Sequence, residues 1–128
     1  MICLLDTCTF IWLCTEPARL PNTVQRLIDA NETELVLGDV SALEISLKWR
    51  SGKIALPEPP RGWVERQMGI WFIRSLPISR EHIYRTSELP EHHRDPFDRL
   101  LVAAALVEGA TILTPDTAIH RYPVSWRW

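Results

Sequence analysis

The run Ile2-Cys3-Leu4-Leu5, halted by Asp6-Thr7, constrains the fold more than any other stretch of the chain. It is too short for a helix and apolar at odd and even positions alike, so neither face of a strand built from it can meet water. Strands of that kind belong in parallel sheets covered by helices on both sides. Further strands are expected over Glu34–Leu37, with Gly38-Asp39 as the exit turn, over Trp71–Leu76, over Thr111–Thr114 before Pro115-Asp116, and over Val124–Trp128. Helical spacing fills the intervals. Helices are expected through Phe10, Ile11 and Leu13, and from Pro21-Asn22 through Val24, Leu27 and Ile28. The next runs from Ser41 through Leu43, Ile45, Leu47 and Trp49, closed by Gly52. After the breakers Pro57, Pro59 and Pro60 come a helix around Trp63–Met68 and another from Ser79 to about Glu88. Leu89–Arg94 reads as a polar loop. Asp95 then caps a helix with Pro96 at its first position, running through Leu100, Leu101, Ala104 and Leu106 to Gly109. Strands alternating with helices predict an α/β fold, a three-layer sandwich with a mainly parallel central sheet flanked by helices. With 128 residues, no repeats and no linker, residues 1–128 are expected to form a single domain.

Net charge narrows the function. At −2 the chain lacks the basic excess of a protein that grips nucleic acid through phosphates alone, so such a role needs another source of positive charge, for which a bound divalent cation would serve. Cys3, Cys8 and Cys14 are odd in number and form no C-x-x-C pair, which argues against a disulfide framework or a zinc site. The N-terminus has no basic region before its apolar run, and no stretch approaches 18 apolar residues. A cytoplasmic protein with no membrane partner is expected.

The acids fall at informative places. Asp6 follows the first strand and Asp116 a later one; Asp95 and Asp98 start a helix; Glu44 lies in the first turn of another. In open α/β sheets ligands bind at the carboxyl ends of strands, where helix N-termini also point. Each acid has a plainer reading. Asp6 and Asp116 suit turns. Ser41-Ala42-Leu43-Glu44 matches a capping box, and Asp95 and Asp98 fit a cap and a first-turn acid. Joint placement favours the other reading. Two carboxylates about 4 Å apart repel by roughly 4 kcal/mol at an effective dielectric near 20. A cluster of them therefore persists only if protons or cations neutralise it. An all-oxygen acid set suits Mg²⁺ or Mn²⁺ rather than zinc, and such ions assist phosphodiester hydrolysis.

Several motifs carry a family resemblance. Leu4-Leu5-Asp6-Thr7, then Ser41-Ala42-Leu43-Glu44-Ile45 with Lys48 and Gly52-Lys53, resemble the opening motifs of PIN-domain proteins. His93-Arg94-Asp95-Pro96-Phe97-Asp98-Arg99, followed by Leu101-Val102-Ala103-Ala104-Ala105, resembles the third motif. Thr114-Pro115-Asp116 with Tyr122-Pro123-Val124 resembles the last. The branch most resembled is the VapC-type toxins. That resemblance implies a PIN-like sandwich and a Mg²⁺- or Mn²⁺-dependent endoribonuclease, the toxin of a type II toxin–antitoxin module. It also implies a homodimer and inhibition by a cognate antitoxin. Carried over residue by residue, Asp6, Glu44, Asp98 and Asp116 are the catalytic and metal-binding acids. Asp95 is an auxiliary acid or cap, and Thr114 holds a water or ligand, or serves the strand end. Lys48, Lys53, Arg94 and Arg99 are candidates for steering RNA phosphates. His92 and His93 read as solvated loop residues. Trp12, Trp49, Trp63, Trp71, Trp126 and Trp128 read mostly as core, with some at a dimer or antitoxin surface.

Competing readings fare worse. A haloacid-dehalogenase-type phosphatase needs a second acid two positions after Asp6, where Cys8 stands. A phospho-accepting receiver domain needs a lysine after a late strand, which Thr114-Pro115 does not offer. The remaining alternative is a PIN-like module with weak or no nuclease activity that acts through protein or RNA binding.

Overall fold

A computed structural model describes all of residues 1–128. The elements in chain order are β1 (Ile2–Leu5), α1 (Thr7–Thr15), α2 (Asn22–Asp29), β2 (Glu34–Gly38), α3 (Asp39–Arg50), α4 (Pro60–Ile70), β3 (Arg74–Leu76), α5 (Arg80–Thr86), α6 (Pro96–Glu108), β4 (Thr111–Leu113) and β5 (Trp126–Arg127). Short 3-10 turns cover Pro17–Arg19 and Ile119–Arg121.

The strands form one sheet in the order β3-β2-β1-β4-β5, and every neighbouring pair is parallel. Residue parity assigns the faces. Cys3, Leu5, Leu35, Leu37 and Leu113 pack on one side with Phe10 and Leu13 of α1, Val24 of α2, Ile45 of α3 and Trp63, Val64 and Met68 of α4. Leu4, Val36 and Ile112 pack on the other with the Leu101–Ala105 stretch of α6, Leu89, Ile119 and Tyr122. A one-residue slip of any strand would exchange these faces, so the two cores fix the register together. Phe10 meets Trp63 edge to face, with ring centroids 5.8 Å apart. The small alanines of α6 let that helix lie close on the sheet, and Gly109, at φ 65°, ends it in the left-handed conformation a side chain resists.

The sheet expected to be mainly parallel is so throughout, because even the short β5 pairs parallel with β4. Two expectations change. The strand expected from Trp71 begins only at Arg74. The residues before it terminate α4: Trp71 N–H donates to Gln67 O and Ile73 N–H to Met68 O, while Phe72 takes φ 54° and is 90% exposed. These donors are consumed by the helix end and cannot pair with a strand. Finally, α3 starts at Asp39, directly after β2, so Ser41 lies inside the helix and Ser41–Glu44 is not a capping box.

Candidate metal centre

Strand order decides where the acids can meet. From β1 the chain moves to β2 and then β3 on one side, whereas β4 and β5 lie on the other. The crevice at the carboxyl ends of β1 and β4 is therefore the switch point where α/β sheets bind ligands. The two ends are tied together: Asp6 N–H and the Thr9 hydroxyl both donate to Leu113 O, at 3.2 and 2.8 Å.

Asp6 caps α1, its Oδ1 accepting from Thr7 N–H at 2.7 Å. Its Oδ2 accepts from the Thr114 hydroxyl at 2.6 Å, and Thr114 Oγ1 in turn accepts from Asp116 N–H at 3.0 Å. One threonine thus sets the position of both strand-end acids. On the α3 side, the Thr7 hydroxyl donates to Glu44 Oε1 at 2.7 Å, with Ser41 Oγ 2.9 Å from the same hydroxyl, and Lys48 Nζ donates to Glu44 Oε2 at 2.7 Å. Asp95 caps α6 by accepting from Phe97 N–H at 2.9 Å, which leaves Asp98 in the first turn. Asp6, Glu44, Asp95, Asp98 and Asp116 all line one cavity of about 380 Å³, with Lys48 at its side and Ile11, Trp12 and Ile54 as an apolar wall. A larger cavity of about 470 Å³ lies at the amino end of β2, beside Asn31 and Trp71, away from this acid set.

Crowding perturbs the acids. Burial pushes the Asp98 carboxyl up to about 8, and the charges of Asp6, Asp95, Glu44 and Asp116 push in the same direction. Burial also raises Asp6, partly opposed by its bonds from Thr114 and Thr7. Lys48 is raised chiefly by its hydrogen bond to Glu44. Without a cation the pocket therefore keeps a proton on Asp98 at neutral pH. Cys8 Sγ lies 3.8 Å from Asp6 Oδ2, and burial holds its thiol at about 12, so it offers no thiolate. The acids offer carboxylate oxygens to a cation, and the cluster could hold a metal.

His93 departs from its sequence reading. It is not a solvated loop residue: its side chain is 20% exposed, and Nε2 lies 3.0 Å from both Asp98 Oδ2 and Asp116 Oδ2. Its Nδ1 accepts from Asp95 N–H at 3.1 Å. Those three residues bring their ligand-type atoms within 4.8 Å of one another. The only hint in the sequence is a histidine two positions before a helix cap; Asp116, 23 residues away, supplies the other contact. His92 instead packs edge-on against Tyr122, with centroids 5.0 Å apart.

The basic residues separate. Lys48 lines the acid cavity, and Lys53 lines an adjoining one with Glu44, Lys48 and Asp95. Arg94 borders a different cavity, with Ile83 and Leu100. Arg99 is committed elsewhere: its guanidinium donates to Thr86 O at 2.7 Å, Pro90 O at 2.9 Å and the Tyr122 hydroxyl at 3.1 Å. It clamps the loop before α6.

The PIN domain family model matches residues 3–124. Ribonuclease VapC22 of Mycobacterium tuberculosis is 28% identical over 123 residues, which cover 94% of this chain and 92% of that protein. Among solved structures, VapBC2 from Rickettsia felis, bound to a DNA fragment from its promoter, superposes with a TM-score of 0.70 at 16% identity, over 99% of this chain and 98% of that one. FitAcB from Neisseria gonorrhoeae superposes with a TM-score of 0.63 at 20% identity, over 98% and 96% of the two chains. The wholly parallel sheet, the acids gathered at its switch point and the match from Cys3 to Val124 agree: the chain belongs to the PIN domain family.

Proposed function

We propose that this chain is a Mg²⁺- or Mn²⁺-dependent endoribonuclease, the toxin half of a type II toxin–antitoxin module, formed by a single PIN unit over residues 1–128. The observation that carries this reading is the convergence of Asp6, Glu44, Asp98 and Asp116 on one cavity, where burial and the neighbouring charges push the Asp98 carboxyl up. Such a pocket is short of positive charge, and a divalent ion supplies it. Asp6, Glu44 and Asp98 would hold the ion, with Asp116 completing that site or a second one. When bound, the ion provides Lewis-acid activation of water and neutralises charge developing on the phosphodiester.

The chain's own groups prepare that chemistry. Thr114 and Thr7 fix the oxygens of Asp6 and Glu44, so the ligands need little reorganisation. Lys48 and Lys53 border the acids and offset their repulsion of an approaching phosphate. Arg94 remains an outlying candidate for the same task. No histidine general base is needed. The names of the relatives, a ribonuclease and several toxin–antitoxin complexes, support RNA as substrate and a cognate antitoxin as partner. Exposed Leu43, Leu47, Ile70 and Phe72 are apolar surface that an antitoxin or a second copy in a homodimer would cover. No helix is long and apolar enough to cross a membrane, which accords with a cytoplasmic site of action.

Single-turnover cleavage of RNA with Mg²⁺, comparing the wild type with Asp6→Asn, tests the proposal. A fall of at least 100-fold is expected, by the order of effect that removing a buried charge-stabilising group has on catalysis; equal rates would overturn the enzyme reading.

A further inference from the structure

His93 touches two of the acids yet has no task in the metal reading, and its hydrogen bonds fix which ring nitrogen carries the proton of the neutral imidazole. A backbone N–H can only donate, so Asp95 N–H, 3.1 Å from Nδ1, requires a lone pair there. A neutral imidazole then carries its proton on Nε2, which donates it to Asp116 Oδ2 at 3.0 Å, while Asp98 Oδ2 lies 3.0 Å from the same nitrogen as a close polar contact. The same pattern removes His93 from the ligand set. To bind a cation, Nε2 would have to give up its proton while Nδ1 has none, leaving an imidazolate. The trio His93, Asp98 and Asp116 resembles a three-ligand site by distance alone; by donor and acceptor roles Nε2–H serves Asp116, with Asp98 close beside it.

We propose that His93 is a positioning residue: its Nε2–H holds Asp116 beside Asp98 and so sets the spacing of the two carboxylates for the metal, without ligating it. This rests on the metal reading above. The imidazole is well placed for the task because it is itself anchored. Asp95 N–H grips Nδ1 and Arg99 Nη1 reaches His93 O at 3.4 Å, while the same guanidinium holds Pro90 O and Thr86 O. Asp95, Asp98 and Arg99 all belong to the start of α6, so imidazole and Asp98 form one unit. Asp116 arrives from beyond β4. Its Oδ1 accepts from Ala118 N–H at 2.8 Å, so the bond from His93 to Oδ2 completes its orientation. His93 is thus the link between the acid of α6 and the acid that follows β4.

The test uses the full chain as wild type, His93→Gln, His93→Phe and His93→Ala. Mn²⁺ affinity is read from the free-ion EPR signal, and directly coordinated nitrogen from pulsed EPR. The wild type should bind Mn²⁺ without a coordinated imidazole nitrogen. His93→Phe and His93→Ala should bind about 10- to 100-fold more weakly, the usual cost of losing a group that orients metal ligands. His93→Gln, which restores an N–H near the same place, should recover most of the affinity, and it keeps the test decisive if the phenylalanine variant does not fold. An imidazole coupling in the wild type that His93→Gln abolishes would make His93 a ligand and overturn the proposal. Equal Mn²⁺ affinity in all four proteins would also overturn it, including where the variants merely melt earlier. A wild type that binds no Mn²⁺ would remove the metal reading itself, and this inference with it.

Discussion

In the absence of metal, raising the pH from 5 to 7 should destabilise this fold, the reverse of what ordinary surface carboxylates do. In the unfolded chain Asp98 loses its proton near pH 4; in the folded protein it keeps it until about 8, because it is buried among Asp6, Asp95, Glu44 and Asp116. Between those values the folded state binds the extra proton, so stability present at low pH is lost as the pH rises through the window. Each unit is worth about 1.4 kcal/mol per proton, so two units amount to about 3 kcal/mol, and Asp6, also raised, adds in the same direction. For a chain of this length that is a fall in Tm of roughly 10 °C. Thermal melts in EDTA at pH 5, 6 and 7 measure it. Millimolar Mg²⁺ should flatten the slope and raise the Tm at pH 7, since the ion binds only the folded, ionised cluster. Asp98→Asn should flatten the slope without metal and gain little from Mg²⁺. A Tm in EDTA that is level or rises from pH 5 to 7, or an Asp98→Asn protein with the wild-type slope, would refute the reasoning.

Thr114→Val removes the hydroxyl shared between Asp6 and Asp116 N–H; RNA cleavage should fall about 10- to 100-fold, with Thr114→Ser largely restoring it in the same assay. Arg99→Ala strands several carbonyls of the loop before α6 and should cost about 2–4 kcal/mol in urea unfolding. Because its guanidinium is already engaged, Arg99→Ala should leave the salt dependence of RNA binding unchanged, whereas Lys53→Ala, at the adjoining cavity and in no ion pair, should reduce the slope by about one. Gly109→Ala places a side chain at φ 65° and should cost about 1 kcal/mol by the same unfolding measurement, with Mn²⁺ affinity unaltered.

The strands were legible where burial on both faces leaves a continuous apolar signature, as in Ile2–Leu5 and Glu34–Leu37. Trp71-Phe72 misleads because aromatic residues favour strands, yet here their backbone donors finish α4, and the left-handed residue is a phenylalanine rather than the glycine that usually announces it. The acids were legible as positions at strand ends and helix starts. That Asp6 and Asp116 share a crevice depends on β4 lying beside β1, a fact of topology that local pattern does not contain. Glu44 shows the same limit: S-x-x-E spacing is present, but α3 begins two residues before Ser41 and frees the carboxylate to meet Thr7 and Lys48. His93 and Arg99 escaped for one reason. Their roles are set by partners brought in by folding, Asp116 for the histidine and a ring of carbonyls for the arginine.

Diffraction from crystals soaked in Mn²⁺, recorded at the manganese absorption edge, bears most directly on what this protein is for. An anomalous peak in direct coordination with carboxylate oxygens of Asp6 and Asp98 is the predicted result. A cavity without a peak, or manganese bound only at other acids, would contradict a metal-dependent nuclease.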